Sequence, residues 1–232
     1  MARGITLAEF KRVLRFGLPN GVNWLLEFAA FQVFINVVLG DLGTEAVATF
    51  NIVFAINTLS FMPAFGLTSA GAILAGQFIG QGARDQVWPQ VKLTLAATAG
   101  WMGSVGLLYV VMPGVLLGLF VPAGPQGVRM LELGNAMLLL SAAWQLFDAV
   151  ALTLSETLRA AGDTTWTAGA RLVLAWAVFM PTAYLAVHVG GAGPVAAMGC
   201  LAGYVALLAG LLAWRFRGGA WRSIELIEPT LV

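Results

Sequence analysis

Apolar residues run through this chain in six long blocks, each separated from the next by a few glycines, prolines or charges. A helix needs about 20 such residues to cross about 30 Å of hydrocarbon. The pattern predicts spans at 16–39, 46–78, 87–111, 127–160, 166–187 and 195–216. Turns follow at Gly40 to Thr44, at Gly80 to Asp85, at Gly162 to Thr164 and at Gly190 to Pro194. A Gly/Pro-rich connection with a short apolar piece, VLLGLF, joins spans three and four. The predicted organisation is a basic amphipathic lead-in at 1–15 on the membrane surface, one six-span domain at 16–217, and a cytoplasmic tail at 218–232. In span two, Pro63 removes a backbone donor; with Gly66 it predicts a kink or break that serves as a hinge.

The fourth block holds the polar exceptions. On a helical wheel Gly134, Ser141, Trp144, Gln145, Asp148, Ser155 and Arg159 share one face, against Leu, Ala, Met, Val and Phe elsewhere. A carboxylate at the centre of a span costs about 2.5–3.5 kcal/mol on insertion scales, so Asp148 marks function by default. Glu27, in span one, is the second such acid, and it shares a face with Asn20, Asn23, Trp24, Phe31 and Phe34. Glu27 follows Arg15 by 12 residues and Asp148 precedes Arg159 by 11. At 1.5 Å per residue both acids lie ~16–18 Å from a basic anchor at the same membrane face. Equal depth on two helices allows one shared site.

Composition agrees with a membrane protein. Of 232 residues, 59% are apolar and only 10% are charged, against about 25% charged in a soluble domain. The fold class expected is all-α and polytopic, with six transmembrane helices. Net charge of +1 offers no footprint for nucleic acid, and the single Cys200 cannot form an internal disulfide. Basic residues sort sharply: eleven fall on one side (Arg3, Lys11, Arg12, Arg15, Arg84, Lys92, Arg159, Arg171, Arg215, Arg217, Arg222) and Arg129 alone on the other. This predicts both termini in the cytoplasm of a cell bounded by a plasma membrane, in bacteria the inner membrane. Lys92 and Arg171 fit that sorting by snorkelling from the ends of spans three and five. Glu156 is expected to pair with Arg159, Glu132, beside Arg129, to pair locally or be solvated, and His188 to be an interfacial side chain.

Two close carboxylates in low dielectric do not both stay ionised without a cation. They can share a proton or bind Na⁺, with Asn20, Asn23, Ser141 and Gln145 as accessory oxygens; in the sodium case Glu27 and Asp148 are the metal ligands. They can also pair with an organic cation, with Trp24, Phe31 and Trp144 lining its path through ring-face attraction. Entry of the small ion then discharges the site and expels the organic one. The competing reading is that each acid only bonds a neighbouring helix. No HExxH, CxxC, Walker loop or nucleophile elbow is present, so neither an enzyme nor a bound cofactor is expected beyond Na⁺ or H⁺ as coupling ion.

Three motifs carry a family resemblance. FGLPNGVNWLLEFAAF resembles the start of the second half of multidrug and toxic compound extrusion (MATE) transporters. FMPAFGLTSAGAILAGQFIGQGARD resembles the kinked second span of that half and the loop after it, and LRAAGDTTW resembles the LRGxGDT signature, with Ala160 in place of its last LRG residue. The resemblance implies one six-helix lobe of a two-lobe bundle that exports cationic, amphipathic drugs and metabolites in exchange for Na⁺ or H⁺. It also implies a cation site formed by a Glu of the lobe's first span and an Asp of its fourth, which fall on Glu27 and Asp148. The amino-terminal lobe has no counterpart in the sequence. The chain is then a fragment, a half that pairs with a separate lobe, or a homodimer. Alternative functions are a lipid or lipid-linked-precursor flippase and a non-transporting subunit. Flippase cavities are lined by basic residues, and no central arginine is expected here.

Overall fold

The computed structural model describes residues 21–22 and 25–224; the lead-in 1–15, Asn20, Asn23, Trp24 and the chain end at 225–232 lie outside them. The described residues form six helices long and apolar enough to cross a membrane. These are α1 (Leu25–Leu42), α2 (Thr44–Gly80), α3 (Val87–Val111), α4 (Pro125–Ala160), α5 (Thr164–Val189) and α6 (Pro194–Arg217). The VLLGLF piece contributes a further short helix, Pro113–Gly118, that buries Leu117 against the bundle.

The helices start and stop where local chemistry requires. Proline begins α4 and α6, where its missing N–H would be unpaired in any case. The GDT segment ends α4 in a Schellman turn: Gly162 adopts φ 87° and the Asp163 N–H donates to the Leu158 carbonyl at 2.9 Å. Asp163 then serves α6 as well. Its carboxylate takes a forked pair of bonds from Arg215, 2.8 Å from Nε and 3.2 Å from Nη2, and Arg215 lies over the Trp166 ring. The signature is thus a clamp between the α4–α5 turn and the end of α6.

α4 is the hub. It packs against α2, α3 and α6, and more than half of its most apolar stretch is buried, against a third or less for every other span. α2 and α3 approach closely at Gly71, where an added Cβ would lie 2.3 Å from Thr94 Oγ1. α2 runs unbroken through Pro63 and Gly66, both of which face outward, so the expected break does not occur. The Trp101 indole of α3 donates to the carbonyl of Ser60, next to the Leu59 acceptor that the imino nitrogen of Pro63 leaves unused.

Two helices are not uniformly α. α1 widens into a π-turn at Phe34–Leu39, and α5 does so at Leu174–Phe179 and Leu185–Val189. The first α5 widening directly precedes Pro181, whose missing N–H and bulky ring are accommodated by a wider turn. Two main apolar cores form, with a smaller third cluster of Ala64, Met102, Ala149 and Leu152. One centres on Phe34, Phe50, Tyr109, Met137 and Phe179, the other on Ile79, Val91, Leu158, Leu212 and Phe216. The buried polar side chains of α4 are interleaved with its core residues along the helix.

Candidate functional site

A cavity of about 580 Å³ opens between α1, α2, α4, α5 and α6, with Met102 of α3 also on its wall. Its charged wall residues are Glu27 and Asp148, and its polar ones include Gln32, Asn51, Asn57, Gln145 and Tyr204. Most of the remaining wall is aromatic or thioether: Phe28, Phe31, Phe54, Phe61, Phe179, Trp144, Met62 and Met102. Phe31 stacks toward Phe54 with ring centres 4.7 Å apart, making an apolar shelf beside the acids. The two carboxylates, 121 positions apart in the chain, therefore face one space.

Glu27 is not alone there. Arg171, from α5, donates from Nη1 to Glu27 Oε1 at 2.8 Å and from Nη2 to the Ser155 hydroxyl at 3.2 Å. The guanidinium thus ties α5 to α1 and α4 at once. This corrects two sequence expectations: Arg171 does not snorkel to the interface, and the lobe does contain a central arginine. Snorkelling would have kept it hydrated; the paired acid on α1 and the hydroxyl on α4 offer it partners inside the bundle instead. Asp148 stands within electrostatic reach of both Arg171 and Glu27. It has no hydrogen bond or ion pair among the described residues, and its carboxylate faces the cavity.

Ser141 and Gln145 have other duties. Asn57 of α2 donates to the Ser141 hydroxyl at 3.1 Å and accepts from the Gln145 amide at 3.0 Å, while Ser60 donates to Gln145 Oε1 at 3.2 Å. Ser141 and Gln145 are 0% and 1% exposed. These bonds hold α4 to α2, and Gln145 also lines the cavity. Trp144 and Phe31 do line the cavity as expected of substrate contacts. Asn20, Asn23 and Trp24 lie outside the described residues. Among the described residues no group of three or more His, Cys, Asp or Glu side chains comes together.

At the helix ends the pairing is partly as expected. Glu156 meets Arg159 at 3.1 Å, and Lys92 lies over the Trp88 ring. Arg129 pairs with Glu45 of α2 at 2.7 Å rather than with Glu132, because the facing helix allows a forked contact in which Nε and Nη2 donate to the two Glu45 oxygens. His188 is held 2.7 Å from Asp41 on the last turn of α1. Sequence reasoning missed Arg171, Ser155, Asn57 and Tyr204 at the site. Ser155 lay on the polar stripe of α4, and that was the available signal.

Comparison with known proteins sets this chain in a family. The MatE family model matches residues 23–185. The chain is 29% identical over 205 residues to a probable multidrug resistance protein NorM of Brucella suis biovar 1 (strain 1330), covering 88% of this chain and 43% of that protein. It is 28% identical over 218 residues to the probable NorM of Pseudomonas putida, covering 91% and 47%. For the probable NorM of Thermotoga maritima the figures are 27% over 177 residues, 76% and 37%. The chain spans about half the length of the curated relatives it matches.

Proposed function

The chain belongs to the MatE family of membrane transporters, and from that premise we propose that it is the carboxy-terminal half of a cation-coupled exporter of amphipathic organic cations. The observation that carries this reading is the placement of Glu27 and Asp148 in the lining of one cavity whose remaining wall is largely aromatic and apolar. An organic cation binds there by setting its charge near Asp148 and its apolar body against Phe31, Phe54 and Trp144. A coupling H⁺ or Na⁺ arriving from the other side neutralises the acid, removes the attraction, and releases the cargo. Both termini face the cytoplasm in this account, so the small ion enters from outside and the cargo leaves with the gradient's help.

Six helices supply one wall of a path; a second lobe, separately encoded, fused in a longer chain or contributed by a second copy, supplies the other. Bending of α2 about Pro63 and Gly66 accompanies the switch of access between faces. A phosphate-bearing lipid cargo is disfavoured because the charged groups on the wall are carboxylates and Arg171 is held by one of them. A purely structural role for the acids is disfavoured by Asp148, which bonds no neighbouring helix among the described residues.

The test is ethidium efflux in vesicles driven by a pH or Na⁺ gradient, with an amino-terminal lobe from a relative co-expressed. Glu27→Gln and Asp148→Asn should each lower the rate at least about tenfold, equivalent to about 1.4 kcal/mol of lost stabilisation. Efflux that survives both substitutions together would remove the site.

A further inference from the structure

Arg171 gives the cavity a fixed charge balance. Its guanidinium stays protonated in any protein setting and is locked by two contacts, to Glu27 and to Ser155. A lysine has a single point of charge and no such fork. The other ion pairs among the described residues, Glu45–Arg129, Glu156–Arg159, Asp163–Arg215 and Asp41–His188, join residues that are not on the cavity wall. Tyr204, on the wall, is neutral when protonated. Glu27, Arg171 and Asp148 together therefore carry one net negative charge.

We propose that Arg171 cancels the charge of Glu27 and leaves Asp148 as the single free carboxylate, so that the cavity selects organic cations bearing one positive charge. The inference rests on the cavity being the cation site described above, and it adds a valence rule that the acid pair alone does not contain. Two free acids would favour a dication. One free acid beside a resident guanidinium leaves a second ligand charge without a counter-charge against walls that are largely apolar, where an uncompensated charge is disfavoured.

Ethidium and propidium test this directly. They share a ring system, and propidium adds a second quaternary ammonium on its side chain. Fluorescence titration of the purified chain, kept monodisperse in detergent, should give ethidium at least tenfold tighter binding than propidium. Arg171→Gln frees Glu27 and should narrow that ratio at least fivefold, chiefly by strengthening propidium. Arg171→Lys keeps the charge and should keep the preference. Glu27→Gln combined with Arg171→Gln removes acid and partner together, leaves Asp148 alone, and should restore the wild-type ratio. Glu27→Gln by itself should weaken both dyes, because it leaves Arg171 beside Asp148 without a counter-charge.

Both dyes binding Arg171→Gln with an unchanged ratio would overturn the valence rule while leaving the cation site standing. Binding of neither dye by the wild-type chain would remove the cation site itself. If Arg171→Gln is not monodisperse, the double variant decides. Ethidium affinity within threefold of wild type supports the assignment, and a tenfold loss in a monodisperse double variant contradicts it.

Discussion

Gln145 illustrates how buried polar groups in this lobe divide between holding helices and facing the cavity. Its amide and carbonyl are used by Asn57 and Ser60, and the same asparagine donates to Ser141. Asn57→Leu should therefore strand Ser141 and Gln145 in the α2–α4 seam. Polar contacts between helices in lipid are worth about 0.6–1.7 kcal/mol. Unfolding in detergent should show a loss of that order, with the cavity acids still in place. Asp148 behaves differently, since its carboxylate has no bond to lose among the described residues. Asp148→Asn is expected to leave the melting temperature nearly unchanged while removing cation binding. Glu27 and Asp148 could be read from the sequence because a charge in an apolar block is conspicuous and helical rise fixes its depth. Arg171 could not. Position along a helix does not distinguish an arginine that climbs to the interface from one that turns inward, and the difference lies in Glu27 and Ser155, which are 144 and 16 residues away.

Among the helices, α4 owes its central place to having neighbours on three sides. Its polar stripe could be read as one face because it repeats with the helical period. The bounds of α3 and the end of α4 match the sequence reading, and the other ends from the close of α1 onward differ by a few residues, since glycine and proline mark the stops. The π-turns of α1 and α5 left no such trace. A single widened turn shifts the apolar period by less than one residue, and only Pro181 signals one of them. Close packing predicts a further result. Gly71→Ala places a methyl 2.3 Å from Thr94 Oγ1, so α2 and α3 must separate. The expected destabilisation is about 1–3 kcal/mol, with only part of it recovered when Thr94→Ala is added, because the Cβ of residue 94 would still lie 2.9 Å from the new methyl. Pro63 offers a test of motion rather than of packing. Because α2 is continuous at rest, Pro63→Ala should leave the resting fold intact and slow transport; an unchanged rate would leave Pro63 without a hinge role.

For the whole molecule, what matters is what covers the open side of the cavity. Phe28, Phe54, Leu59 and Met62 are exposed along α1 and α2, and three of the four line the cavity. Lipid alone would cover them adequately, but it would not form an aqueous path. The account expects transport only from an assembly larger than one 24.4 kDa chain, and light scattering of the transporting complex in detergent should give at least twice the contribution of one lobe. Transport by monomeric chains would contradict the two-lobe reading. The six spans could be read from hydropathy, whereas the second wall could not, because residues that face a partner lobe and residues that face lipid are equally apolar.

The most direct measurement is equilibrium binding of tetraphenylphosphonium to the purified chain, wild type against Asp148→Asn, at matched thermal stability. The account predicts one site per chain and at least a tenfold loss of affinity in the variant. Equal affinity in the two proteins would mean that the cation rests elsewhere and that Asp148 is not its counter-charge.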